Sequence, residues 1–147
     1  MSAISGLATE IYQNEFEGNQ DIVPRSYIEA WLTSNLGMLN SLINTSYSGA
    51  SAELDLESQA IYKNLYLSSY YTRQSSASLR GVIGSGGSDV LSIRDGNSAV
   101  TFANRNEIAK VFKSMSDGFL KEAKTLAHQY NMYQSEPIQV AGDENTI

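Results

Sequence analysis

Hydrophobic positions along the chain fall into three stripes with helical spacing and one short stretch of strand character. Ile28, Trp31, Leu32, Leu36, Leu39, Leu42 and Ile43 recur every three or four residues, which predicts a helix over 24–44. Pro24 suits its first position, where an amide would go unpaired anyway. Asn44-Thr45-Ser46 and Ser48-Gly49 mark its end. A second helix is expected from Ala52 to about Ser75, capped by Ser51, with Leu54, Ile61, Leu65, Ser68 and Ser69 inward. Glu53, Asp55 and Glu57 lie in its first turns, where the helix dipole favours acids. The longest stripe runs through Ile108, Val111, Phe112, Met115, Phe119, Ala123, Leu126, Ala127, Tyr130 and Tyr133. It predicts a helix over 104–134, opened by Asn104 and Glu107 in a capping-box relation and stopped by Pro137. Such a helix is about 45 Å long, more than a small core needs. Its far end is therefore expected to find cover outside the subunit, or to bend near Gly118.

The strand-like stretch is Asp89 to Phe102, where runs containing Val, Ile, Thr and Phe flank Asp95-Gly96-Asn97. Those three residues accept the positive φ angles of a tight turn, so a β-hairpin is expected over 89–103. Gly81, Gly84, Gly86 and Gly87 punctuate the preceding stretch, which predicts a Gly/Ser loop over 77–88. The expected fold is mainly α: a bundle of about three helices with a long C-terminal helix preceded by a hairpin. One domain covers 1–147, with an N-terminal arm at 1–23, two helices over 24–76 and a tail at 135–147.

Composition narrows the function classes more than the fold. There is no cysteine, which removes disulfides, thiolate metal sites and thiol nucleophiles. No Lys or Arg precedes Arg25 and no long apolar core follows Met1, so no signal peptide is expected; no apolar run approaches a membrane span. The net charge of −6 argues against a generally basic nucleic-acid surface. That charge is unevenly spread. Residues 1–60 carry eight acids against Arg25 alone, residues 61–134 carry nine bases against five acids, and the tail adds three acids. Solvation accounts for such a division, and so does an acidic face on one copy meeting a basic face on the next.

Catalytic chemistry finds little material. His128 is the only histidine and lies beside the apolar stripe of the long helix, a surface or interface position. Glu53, Asp55 and Glu57 splay around a helix and do not converge on a metal. The glycines of 81–88 lack the Lys-Ser/Thr that a phosphate loop needs. No catalytic residue, cofactor site or metal site is assigned, and an enzyme is not expected. Tyr62, Tyr66 and Tyr70 repeat every four residues, at the margin of a helical core or at a protein interface. Lys110, Lys113, Lys121 and Lys124 form a mild basic stripe on the last helix.

The run Leu91-Ser-Ile-Arg-Asp-Gly-Asn-Ser-Ala-Val-Thr-Phe102, leading into a long helix and preceded by two others, resembles head–tail adaptor (connector) proteins of tailed bacteriophages. Trp31-Leu32 and Asn35-Leu-Gly-Met-Leu-Asn40 resemble phage neck proteins in the same way, so the likeness covers 22–134. It implies a structural virion protein, made in the host bacterial cytoplasm and assembled as a dodecameric ring below the portal. The ring would extend the DNA channel, pass DNA without reading its sequence, dock tail or stopper proteins, and touch no membrane. On that resemblance Arg94, Asp95, Gly96 and Asn97 form a projecting hairpin tip that contacts other copies. Tyr62, Tyr66, Tyr70, Lys110, Lys113 and Lys121 then serve the subunit interface, while Pro137, Ile138, Val140 and Ile147 dock into the portal. Two other readings remain: a small nucleic-acid-binding module using the basic stripe, and a helical regulatory or chaperone protein with a tyrosine-lined face.

Overall fold

A computed structural model describes the backbone over 2–84 and 96–146, and the side chains over 2–79 and 106–134. The elements are α1 (Ala3–Glu15), α2 (Arg25–Ser34), α3 (Leu36–Ile43), α4 (Leu56–Gly84) and α5 (Gly96–Thr146). The mainly helical class stands. The β-hairpin does not: residues 96–103 open α5, residues 89–95 lie outside the described residues, and no strand occurs among the described ones. Short apolar runs such as Ala-Val-Thr-Phe fit strand or helix equally by periodicity, and β propensity yields to context. Gly96 and Asn97 therefore begin a helix where a turn was expected, and Asn104 and Glu107 are internal to it.

Other boundaries also move. The expected arm contains α1, which buries Ile4, Leu7, Ala8 and Ile11 at i, i+3, i+4 and i+7. Ser2 caps it, accepting a 3.1 Å hydrogen bond from the Ser5 amide. Left-handed Glu17 and Gly18 turn the chain at its end. There the Gly18 amide donates to the Tyr12 carbonyl and the Tyr12 hydroxyl donates to the Gly18 carbonyl. The helix predicted over 24–44 is two helices, because the Asn35 amide and side-chain nitrogen both donate to the Trp31 carbonyl and end α2. Pro24 stands just before α2, not within it. Left-handed Asn44 closes α3. Asn40 then fastens the following loop, donating to the Tyr47 carbonyl and accepting from the Thr45 hydroxyl and Tyr47 amide.

The second long helix begins at Leu56, not Ala52, and extends to Gly84. Asp55 caps it in place of Ser51, its Oδ1 accepting from the Ser58 amide at 2.8 Å. Residues 77–84 of the expected loop are helical, and 85–88 lie outside the described residues. At the other end α5 passes through Pro137 to Thr146, although Pro137 has no amide to donate within the helix.

The chain divides into two compact units, Met1–Tyr66 with Lys121–Ile147, and Leu67–Leu120. In the first, Ile4, Leu7, Ile11, Ile28, Leu32, Leu39, Ile61 and Tyr62 are fully buried. Trp31 rings this core with Tyr62 and Tyr66 at centroid distances of 5.6 and 5.3 Å, and Phe16 meets Tyr66 edge-on at 6.4 Å. Arg25 ties α1 to α2: its guanidinium donates to the Thr9 hydroxyl, the Ser5 carbonyl and the Ser5 hydroxyl at 2.7–2.8 Å, with Glu29 at 3.3 Å. The lone base of the acidic segment is thus occupied inside the fold.

Among the described residues of the second unit, small side chains join α4 to α5. Ser116 of α5 donates to the Ser68 carbonyl of α4 at 2.8 Å, and Ser75 of α4 donates to the Ala109 carbonyl of α5 at 2.9 Å. These reciprocal bonds sit seven residues apart on each helix, in antiparallel register, and a hydroxyl reaching a neighbouring backbone carbonyl requires close helix approach. Beside the seam Tyr71 stacks on Phe112 at 5.8 Å and on Phe119 at 5.7 Å.

Candidate docking surfaces

The expected site residues are not gathered in one place. Arg94, Asp95 and Ile147 lie outside the described residues. Gly96 and Asn97 are the first residues of α5, and Pro137, Ile138 and Val140 belong to its last turns. Tyr62 and Tyr66 are core residues of the first unit, 0% and 1% exposed, so the tyrosine row offers little of itself to a partner there. Tyr70, in the second unit, is half-buried and meets Tyr71 edge-on at 5.1 Å. Burial, reinforced by neighbouring Tyr71 and opposed by Arg73, raises the pKa of the Tyr70 hydroxyl. Lys110, Lys113, Lys121, Lys124 and His128 are exposed. Lys113 pairs with Asp117 at 3.2 Å and Lys110 stands 4.0 Å from Glu107, surface pairs of small energetic weight.

Two hollows in the first unit went unpredicted. The larger, about 510 Å³, lies between the start of α4 and the 126–134 stretch of α5, with Ala60, Ile61, Leu126, Tyr130 and Tyr133 on its walls and Glu57 on its edge. The smaller, about 260 Å³, lies between α1 and α4 and is lined by Leu7, Glu10, Leu56, Ala60 and Lys63. Ala60 belongs to both. Leu56, on the wall of the smaller, is 80% exposed, and Tyr133, on the wall of the larger, is 70% exposed. Exposed apolar side chains around a concave apolar surface make these hollows candidate docking surfaces.

Polar contacts adjoin the larger hollow through Tyr130, which lies on its wall. The Tyr130 hydroxyl donates to Asp55 Oδ2 at 3.1 Å, the Tyr47 and Ser58 hydroxyls lie 3.3 Å apart, and Asn131 donates to the Leu42 carbonyl at 2.9 Å. Burial alone would raise the Asp55 pKa, but hydrogen bonds from Ser58 and Tyr130 prevail and hold it below the usual carboxylate value. Burial first, and then the adjacent Asp55 carboxylate, raise the pKa of Tyr130. Because the folded pKa of Asp55 is depressed, its contribution to stability is present above the unfolded value near 4 and is lost as pH falls through the folded value. Asp55→Asn keeps a helix cap and removes the charge. Urea titrations at about pH 6 and about pH 3 are expected to show wild type losing more stability than Asp55→Asn on acidification; equal losses would refute this.

Comparison with family profiles, curated proteins and solved structures finds no match. The geometry therefore speaks alone. Among the described residues no three His, Cys, Asp or Glu side chains come together as a metal site, and no helix is long and apolar enough to cross a membrane. The second unit adds an apolar strip on α5: Ile108, Val111 and Met115, spaced three and four residues apart, are 45%, 55% and 37% exposed. The inward side of the same helix carries Ala109, Phe112, Ser116 and Phe119, and the strip is the uncovered flank of that same apolar stripe. Its periodicity was legible in the sequence; which of its residues stay uncovered was not.

Proposed function

We propose that the chain is a non-enzymatic assembly protein, a head–tail adaptor that forms a ring below a phage portal, extends the DNA channel and docks tail or stopper proteins. The observation that carries the self-assembling part is the uncovered strip Ile108–Val111–Met115 on the long helix α5. Apolar residues left exposed at regular spacing on a long helix favour packing against another chain. The phage part rests on the resemblance of 22–134. Its hairpin portion no longer contributes, and the helix-rich order before and within α5 does. A closed ring uses unlike surfaces on each copy, and the unequal charge along this chain suits that arrangement. The exposed lysine stripe favours a nucleic-acid module less, because Lys110 and Lys113 already have acidic neighbours.

The test is the composition of purified virions from the phage or prophage that encodes the chain. Mass spectrometry is expected to find the protein at a fixed low copy number per particle, and imaging to place it at the neck. Its absence from assembled particles would sink the reading.

A further inference from the structure

The two exposed apolar surfaces belong to units of opposite formal charge. The first unit carries twelve acids against Arg25, Lys63, Lys121 and Lys124, a net −8; the second carries six bases against four acids, a net +2. Arg25 is engaged by Ser5, Thr9 and Glu29, which leaves the first unit with still less free positive charge. The surfaces also match in length. Ile108 to Met115 spans two helical turns, about 10 Å, and so does the groove wall from Leu126 to Tyr133.

We propose that two copies of this chain associate head to tail, the Ile108, Val111 and Met115 strip of one copy seating in the groove formed by Ala60, Ile61, Leu126 and Tyr133 of the next. The inference rests on the assembly reading above and names the surfaces that reading leaves open. Apolar burial supplies the attraction, and the charge difference orients the encounter and disfavours groove-to-groove pairing of two acidic surfaces. Both surfaces remain free at the ends of any such pair, so a third copy adds in the same way until the rotation closes. Glu57 at the groove edge makes the contact sensitive to ionic strength.

Sedimentation velocity of the full chain tests this directly. Wild type is expected to associate with rising concentration, and more weakly in about 500 mM than in about 50 mM salt. Ala60→Arg plugs the groove from an exposed helix position, and Val111→Glu places an acid on the strip at another exposed position. Each is expected to weaken self-association by about tenfold or more. Mixed in equal amounts they are expected to form a one-to-one pair and nothing larger, because one intact strip and one intact groove remain. Circular dichroism of both variants should match wild type. Wild type that stays monomeric at high concentration, variants that associate as wild type does, or a mixture that fails to pair would each overturn the inference. Mass spectrometry of virions stands apart: a neck protein that pairs through other surfaces keeps the adaptor reading and refutes this contact, whereas head-to-tail pairing by a protein absent from particles does the reverse.

Discussion

Tyr62→Ala is expected to cost about 3–5 kcal/mol and to leave the first unit largely unfolded near room temperature. Tyr62 is fully buried, its ring lies against Trp31, and its hydroxyl donates to the Leu32 carbonyl at the end of α2. Truncation would open a cavity the size of the ring between α2 and α4 and remove the bond that ties the last turn of α2 to α4. Tyr62→Phe keeps the ring and is expected to cost only about 1–2 kcal/mol, the worth of one buried hydrogen bond. Trp31 is the chain's single tryptophan, so its fluorescence during urea unfolding reports on this unit. Near-equal costs for the alanine and phenylalanine variants would show that the ring does not hold the core.

The same residue carries an alkaline signature. Burial raises the Tyr62 pKa well above its ordinary value near 10, against a weaker opposing hydrogen bond at the Asn35 backbone. The unfolded chain therefore ionises this group first. The stability it contributes is fully present below about pH 10 and declines as pH rises toward the folded value. The difference between wild type and Tyr62→Phe should accordingly narrow in strongly alkaline buffer.

How much of this was readable from sequence follows from what each signal measures. The stripes of Ile28–Ile43 and Ile108–Tyr133 both fall on helices, the first because burial of one side imposes the three-and-four spacing, the second although Ile108, Val111, Met115 and Tyr133 stay exposed. The break at Asn35 leaves little mark on the sequence pattern because it shifts the stripe little, and its cause is a side chain turning back on the Trp31 carbonyl. The arm expected over 1–23 has room for at most a short helix by its pattern, and α1 is longer than that, with Ile4, Leu7, Ala8 and Ile11 at helical spacing; intervening polar residues mask a one-sided pattern. Ser51 and Asp55 are both plausible caps by type, and packing of Ala52 and Leu54 ahead of Leu56 selects the later one. The hairpin failed for a deeper reason. Four-residue apolar runs carry almost no periodicity, and turn residues such as Asp-Gly-Asn can equally precede or start a helix. The groove was invisible in sequence because Ala60 and Tyr133 are far apart along the chain and meet only through the fold.

Ser116→Leu is expected to cost about 3 kcal/mol, combining overpacking with buried hydroxyls that lose a partner. Ser116 is 3% exposed, donates to the Ser68 carbonyl at 2.8 Å, lies 3.2 Å from the Ser68 hydroxyl, and is within hydrogen-bond reach of Thr72. A leucine there meets the backbone of α4, not a yielding side chain, so the helices must separate. Separation also strains the Ser75–Ala109 bond one heptad away and the stack of Tyr71 on Phe112 and Phe119. Ser116→Ala removes the hydrogen bonds without adding bulk and is expected to cost about 1 kcal/mol. Hydrogen exchange separates the consequences by unit. Amides of 67–79 and 106–120 are expected to lose protection in Ser116→Leu, while those of α2 and α3 keep most of theirs because their burial depends on other residues. Uniform loss across the chain would mean that the two units unfold as one cooperative body, and equal costs for leucine and alanine would mean that the seam is not closely packed.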